Sequence, residues 1–152
     1  MLVKTMDQHL RELGGRLVEG WSHALARGRN LSDQGYLFHG TSLDSAHAIL
    51  AGGFESGDSS WALHVYWGRL DYAENFASRW YRGLPAILAA PLDAVLASGI
   101  PLPMTSSDRQ MEDASELATW QESHAESGCL RIRDGRHVEG LILLSPMEFE
   151  SA

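Results

Sequence analysis

The feature that most constrains the fold is a short apolar run that leads directly into His39, Gly40 and Thr41. The run predicts a strand over residues 36–39. A small helix is predicted immediately afterwards, over residues 42–51, because a serine can cap its first turn and two glycines follow its last turn. The strand therefore places an imidazole, a backbone without a side chain and a hydroxyl on three consecutive residues.

The rest of the chain passes irregularly between short strands and short helices. Leucines spaced by three and four residues predict a first helix over 6–27, with a capping box formed by Thr5 and Gln8 at its start. The other predicted strands are 62–68, 86–90, 129–132 and 137–144, and the other helices run from 70 or 71 to about 81 and over 111–125, with a helical turn at 93–97 and a long loop at 100–110. This order predicts the α+β class rather than a doubly wound parallel sheet.

Composition narrows the possible partners. The 152 residues fit one domain, over 1–152, and the formal net charge of -8 makes nucleic acid a disfavoured partner because phosphates would be repelled. A protein or small-molecule target fits better. Cys129 is the single cysteine, so no internal disulfide is expected. The most apolar stretch, 84–102, carries three prolines and is too interrupted to cross a bilayer, and no usual secretory signal follows Met1.

Three segments stand in a set order along the chain. The first is the strand that ends in His39, Gly40 and Thr41; the second is a strand with Tyr66 that leads into a helix with Phe76; the third is His137-Val138-Glu139-Gly140, predicted to open a buried strand. Together they resemble the ADP-ribosyltransferase superfamily in its His-Tyr-Glu branch, which includes diphtheria toxin and the poly-ADP-ribose polymerases. The resemblance runs from about residue 36 to residue 144, without the loops.

The resemblance implies a fold and a set of roles. Two small antiparallel sheets would form a split core around a cleft for NAD, the co-substrate, and no metal would be needed. His39, Gly40 and Thr41 would bind the adenosine ribose, the nicotinamide carboxamide and the ribose side respectively. Tyr66 and Phe76 would enclose the nicotinamide ring, and Glu139 would stabilise the oxocarbenium-like transition state as the catalytic residue.

The chain also departs from that pattern. Phe76 stands where the polymerases have a second tyrosine, Ala73 stands where a serine often contacts the carboxamide, and His137 stands where arginine-modifying relatives carry Gln or Glu. Transfer of a single ADP-ribose to a protein or small-molecule acceptor is therefore the expected reaction. An arginine group at 131, 133 and 136 precedes Glu139 and is a candidate contact for an acidic acceptor.

Other interpretations remain open from the residues alone. The same fold with a degraded site would bind NAD, ADP-ribose or a protein without transfer. A further alternative is the related RNA 2′-phosphotransferase, which would need a strongly basic surface that this chain lacks. Taken alone, His39 could be an ordinary half-buried histidine. Tyr66 and Phe76 could be core aromatic residues, and Glu139 could be a solvated residue at the start of a strand. The size and charge suit a bacterial-type effector or toxin, either cytoplasmic or exported without a cleaved signal.

Overall fold

The computed structural model describes residues 5–55, 63–78, 83–104 and 119–147. These residues form an α+β fold, the class that the sequence predicted, with five helices and two three-stranded antiparallel sheets. The helices are α1 (Met6–Asp33), α2 (Leu43–Gly52), α3 (Leu70–Ala77), α4 (Leu92–Ala97) and α5 (Trp120–Ser127). The strands are β1 (Tyr36–Ser42), β2 (His64–Trp67), β3 (Pro85–Pro91), β4 (Ile100–Leu102), β5 (Leu130–Arg133) and β6 (Ile142–Leu144).

One sheet has the strand order β1-β3-β6, and the other has the order β2-β5-β4. Among the described residues, one isolated bridge joins the edge strands of the two sheets. There Phe38 and Gly68 exchange two backbone hydrogen bonds, each 2.9 Å from nitrogen to oxygen. His39 and Trp67 stand next to this point, on β1 and β2 respectively.

The first sheet separates two hydrophobic clusters, and the period of two along β1 decides which side chain enters which cluster. Leu37 packs between the two sheets with Leu88, Val65 and Trp67. Phe38 faces the other way, towards α1 and α3, with Ile87, Ala89 and Leu144. β3 is buried over almost its whole length, which explains why its sequence is continuously apolar. His39 and Thr41 follow the alternation of Leu37 and so belong to the side between the sheets.

Two helix starts match their predictions. Thr5 and Gln8 form the predicted capping box at the start of α1. The hydroxyl of Ser42 accepts from the backbone N–H of Ser45 at 3.2 Å and caps α2. The end predicted for the first helix, at residue 27, is wrong, since α1 continues to Asp33. Gly28 is buried there, and a Cβ on it would lie 2.9 Å from the side chain of Leu70, so this glycine permits packing rather than ending the helix.

The predicted strand over 137–144 is also wrong at its start. Only Ile142–Leu144 are paired, with β3, and Glu139 and Gly140 form a turn. Gly140 has a φ of 72°, which breaks an extended strand, and Val138 inserts into the core between the sheets. Glu139 therefore lies in an exposed turn and does not open a buried strand.

Parts of other predictions lie outside the described residues. These are the loop at 105–110, most of the predicted helix at 111–125 and the last residues of the helix predicted to reach 81. α5 begins at Trp120, within the predicted range. Residues 100–102, predicted as loop, form the short strand β4 beside β5. Among the described helices, none combines the length and the apolar character that a membrane crossing needs.

Candidate functional site

His39 is held by the backbone of the neighbouring sheet. Its Nδ1 lies 2.8 Å from the carbonyl oxygen of Tyr66. A carbonyl oxygen can only accept a hydrogen bond, so Nδ1 must carry the hydrogen. In the neutral ring Nε2 is then an acceptor with a lone pair. The contact joins β1 to β2 just beyond the bridge, so the two edge strands fix both the position and the tautomer of this imidazole.

Aromatic rings surround the imidazole. Phe54 meets it edge to face, with ring centroids 5.0 Å apart, and Trp67 lies 5.9 Å away. Burial lowers the pKa of His39 below 6.5, and the hydrogen bond to the Tyr66 carbonyl opposes that shift only in part. His39 is therefore neutral at pH 7. It can accept a hydrogen bond from a ligand hydroxyl without the cost of a buried charge.

A cleft of about 380 Å³ opens beside His39, between β1, β2 and α2. Its volume falls within the ~300–1,000 Å³ that is usual for small-molecule sites. Polar side chains line one part of the wall: His39, Thr41, Ser45, Glu55 and His64. Apolar side chains line the rest: Ala48, Ile49, Phe54, Leu63 and Val65. Polar and apolar side chains thus line the cleft in equal number, so a ligand that combines polar groups with apolar surface would fit it.

The cleft includes two of the six predicted site residues, His39 and Thr41. Gly40 faces the opposite side of β1 and is covered by α3. A Cβ on residue 40 would overlap the carbonyl oxygen of Ala73 and lie 2.9 Å from its carbonyl carbon. The close approach at this glycine is therefore made by α3 itself. The sequence predicted that a ligand would make it.

Tyr66 and Phe76 were predicted to enclose a flat ring. Tyr66 lies on β2, on the face opposite to Val65 and Trp67, and its side chain is 47% exposed. Phe76 lies on α3 and is 53% exposed. Neither ring belongs to the hydrophobic core or to the wall of the cleft. Half-exposed aromatic rings are suited to contact with a ligand or a partner.

Glu139 does not line the cleft. Its segment is nevertheless tied to the wall of the cleft through the preceding residues. The carbonyl oxygen of Arg136 accepts a hydrogen bond from the backbone N–H of Phe54 at 2.8 Å. A Cβ on Gly53 would lie 2.7 Å from the ring of His137. The turn with Glu139 thus follows a stretch that packs behind Gly53 and Phe54.

Sequence reasoning missed three polar groups of the cleft, Ser45, Glu55 and His64. Glu55 is the one described carboxylate that lines the cleft, and it follows the Gly53-Phe54 end of α2. The sequence assigned no role to His64. Among the described residues, no group of three His, Cys, Asp or Glu side chains is placed to hold a metal ion. His64 is identified by its place in the pairing of β2 with β5, which cannot be read from the sequence.

His64 lies beside two arginines of β5. Its Cα is the pairing partner of Arg133, and its Nδ1 lies 3.5 Å from Nη1 of Arg131. Partial burial, followed by the charges of Arg131 and Arg133, lowers the pKa of His64 below 6.5, while Asp134 opposes the shift. A guanidinium can only donate, so Nδ1 of His64 accepts and the neutral ring carries its hydrogen on Nε2. His39 and His64 thus have opposite tautomers at one cleft.

Comparison with protein-family models, with curated proteins and with solved structures found no match to this chain.

Proposed function

We propose that the cleft binds the adenosine side of NAD and that the protein transfers a single ADP-ribose to a protein or small-molecule acceptor. The observation that carries this proposal is the imidazole of His39. Its hydrogen is fixed on Nδ1 by the Tyr66 carbonyl, so Nε2 is left to accept a ribose hydroxyl. Thr41, two residues further along β1, lines the same cleft and adds a hydroxyl.

The nicotinamide end of the ligand would lie against the half-exposed rings of Tyr66 and Phe76. Stacking of a flat ring on an aromatic side chain contributes about 0.5–1.5 kcal/mol beyond the area that it buries. The backbone of Tyr66 already bonds His39, so the same residue connects the two ends of the proposed site. Gly40 and Ala73 bring α3, which carries Phe76, directly onto β1.

The reaction requires a carboxylate near the ribose, because positive charge develops there as the bond to nicotinamide breaks. The resemblance gives this role to Glu139, whereas the position in the cleft favours Glu55. Removal of a preorganised stabilising group typically lowers kcat by about 100- to 1,000-fold. The two carboxylates can therefore be separated by matched substitutions.

The test uses labelled NAD, with and without a cell lysate, and measures released nicotinamide and labelled protein. Wild type is compared with Glu139→Gln and Glu55→Gln, which keep the shape of the side chain and remove its charge. We expect activity in wild type and a fall of about 100- to 1,000-fold in one of the two variants. Both carboxylates are exposed, so both variants, and Glu139→Ala, should keep the melting temperature of wild type. Absence of nicotinamide release from wild type would refute the transferase.

A binding module without transfer is the second candidate. The observation that favours it is that Glu139, Tyr66 and Phe76 all lie off the wall of the cleft. In that case calorimetry would detect binding of NAD or ADP-ribose to wild type, and this binding would be lost in His39→Ala. No nicotinamide would be released from NAD by wild type or by any variant, with or without an acceptor. Turnover that depends on a carboxylate would exclude this candidate.

A further inference from the structure

The strand register of the second sheet fixes which side chains point away from the core. Residues that are paired across neighbouring strands point to the same face of a sheet. Val65 on β2 and Ile132 on β5 are paired, and both belong to the core between the sheets. The residues on either side of them therefore point outwards. They form two rows across the three strands, which together make the outer face: His64-Arg133-Ile100 and Tyr66-Arg131-Leu102.

The outer face is open to solvent. Tyr66 is 47% exposed and Ile100 is 53% exposed, at opposite edges of the sheet. The side chain of Arg133, on the central strand between them, is 53% exposed. Each row thus combines a ring, an arginine and an aliphatic side chain. Tyrosine and arginine are enriched in protein–protein interfaces, so this composition suits contact with a partner.

The outer face also carries positive charge that is poorly neutralised. Within the described part of the chain, Arg131 has no carboxylate partner: its Nε donates to the carbonyl oxygen of Pro103 at 2.9 Å, and its Nη1 lies 3.5 Å from Nδ1 of His64. These neutral groups orient the guanidinium and leave N–H groups for an anion. Arg133 meets Asp134 only at 3.9 Å, with both side chains more than half exposed, and such pairs contribute little. A positive surface therefore stands on a protein whose net charge is -8.

We infer that the outer face docks an acidic, extended segment of a protein partner. The inference goes beyond the proposed function, since it involves neither NAD nor transfer. Arg131 and Arg133 are two residues apart on β5, so their side chains leave the sheet about 6.6 Å apart. Alternate side chains of an extended peptide repeat at the same spacing, so two carboxylates can meet two guanidiniums. Ile100 and Leu102, in the same rows on β4, offer apolar contact to the residues between the carboxylates.

Charge also favours a protein over nucleic acid as the partner. Two arginines neutralise few phosphates, whereas binding of a nucleic acid draws its affinity from many such contacts. The net charge of -8 repels a long polyanion that extends beyond the outer face. A short acidic segment touches only the positive rows.

The test uses a short synthetic peptide in which glutamate alternates with valine, and a control peptide with glutamine in place of glutamate. Titration into ¹⁵N-labelled wild-type protein reports both affinity and location through the shifts of backbone amides. We expect the glutamate peptide to bind at millimolar concentration or below and to shift amides of β2, β5 and β4. The glutamine peptide should bind far more weakly, and added salt should weaken the glutamate peptide because the charges are partly exposed.

Three arginine variants separate the outer face from net charge. Arg131→Gln, Arg133→Gln and Arg29→Gln each remove one positive charge, and Arg29 is exposed on α1, on the far side of the first sheet. Affinity for the glutamate peptide should fall about 10-fold in Arg131→Gln, whose guanidinium is held in place, and about 2- to 5-fold in Arg133→Gln. It should stay unchanged in Arg29→Gln. Amide spectra of the free variants show whether each is folded, and the two peptides on wild type decide the matter without any variant.

Several results would overturn the inference. These are no binding of the glutamate peptide at millimolar concentration, shifts confined to other elements, or equal weakening in Arg29→Gln and Arg131→Gln. Tighter binding of a polyuridine oligonucleotide than of the glutamate peptide would make nucleic acid the partner instead. Shifts of the outer-face amides that grow with protein concentration, without peptide, would assign the surface to a second copy of the chain. None of these measurements involves NAD, so the proposed function stands or falls separately.

Discussion

Substitution of Gly40 by alanine gives the sharpest test of the architecture around the site. A Cβ at this position would overlap the carbonyl oxygen of Ala73, and the carbonyl carbon would lie 2.9 Å away. Carbon atoms in contact prefer about 3.5–4.0 Å. The obstacle is backbone in a helix rather than the end of a flexible side chain, so α3 must move away from β1 as a unit.

The cost follows from what α3 holds in place. Ala73 and Ala77 are buried against the cluster that contains Phe38 and Ile87, and displacement of the helix opens this interface. Overpacking of a well-packed core costs about 1–3 kcal/mol, and a clash with backbone belongs near the upper limit. For a chain of this length, about 3 kcal/mol corresponds to a fall of about 6–12 °C in melting temperature.

The assay is urea unfolding, followed by tryptophan fluorescence, of wild type, Gly40→Ala and Gly15→Ala. Gly15 lies inside α1 with nothing within 4 Å of an added Cβ, so its substitution should leave stability unchanged or raise it by about 0.5–1 kcal/mol. If Gly40→Ala unfolds at the same urea concentration as wild type, α3 does not pack on β1 as described. If it is stable and has lost only the binding of NAD, a ligand rather than α3 makes the close approach at Gly40.

Two further predictions concern pH and the exposed rings. Since burial lowers the pKa of His39 in the folded state, protons bind the unfolded chain first, and the free energy of unfolding should decrease by up to ~1.4 kcal/mol per pH unit below about pH 6.5. Urea unfolding at about pH 7.5 and pH 5.5 measures this loss of stability, which should be smaller in His39→Gln than in wild type. The loss that remains in the variant comes from His64, whose pKa is also lowered. If wild type and variant lose the same stability between the two pH values, His39 is not held neutral in the folded protein. Tyr66→Ala and Phe76→Ala should each leave the melting temperature within about 4 °C of wild type, because both rings are half exposed. Each should weaken NAD binding, measured by calorimetry, by about 3- to 10-fold. Unchanged affinity in both variants would show that these rings do not belong to the site.

The fold class could be predicted because its signals are local. The capping box of Thr5 and Gln8 and the cap at Ser42 depend on residues three positions apart, and both are present. The error at the end of α1 involves a distant contact, since Gly28 stays inside the helix with Leu70 and Leu144 packed beside it. The error before β6 is local, since the turn at Gly140 interrupts the predicted strand.

Of the residues predicted for the site, His39 and Thr41 on β1 are the ones that line the cleft. The position of His39 and Thr41 follows from the period of two of a single strand, which a sequence displays directly. Glu139 was predicted to open a buried strand, but it lies in an exposed turn with Gly140, whose φ is positive. His64 became visible only when strand pairing set it beside Arg131 and Arg133.

The sequence by itself determined the α+β class, the order of most elements and the presence of an imidazole on the first strand, although β1 continues beyond His39 to Ser42. Tertiary structure alone decided that His39 is neutral with its hydrogen on Nδ1, that Gly40 meets α3, and that His64 lies beside Arg131. The physical reason is range. Caps and periodicity act over a few residues, whereas a tautomer, a pKa and an ion partner depend on groups that strand register brings together from distant parts of the chain.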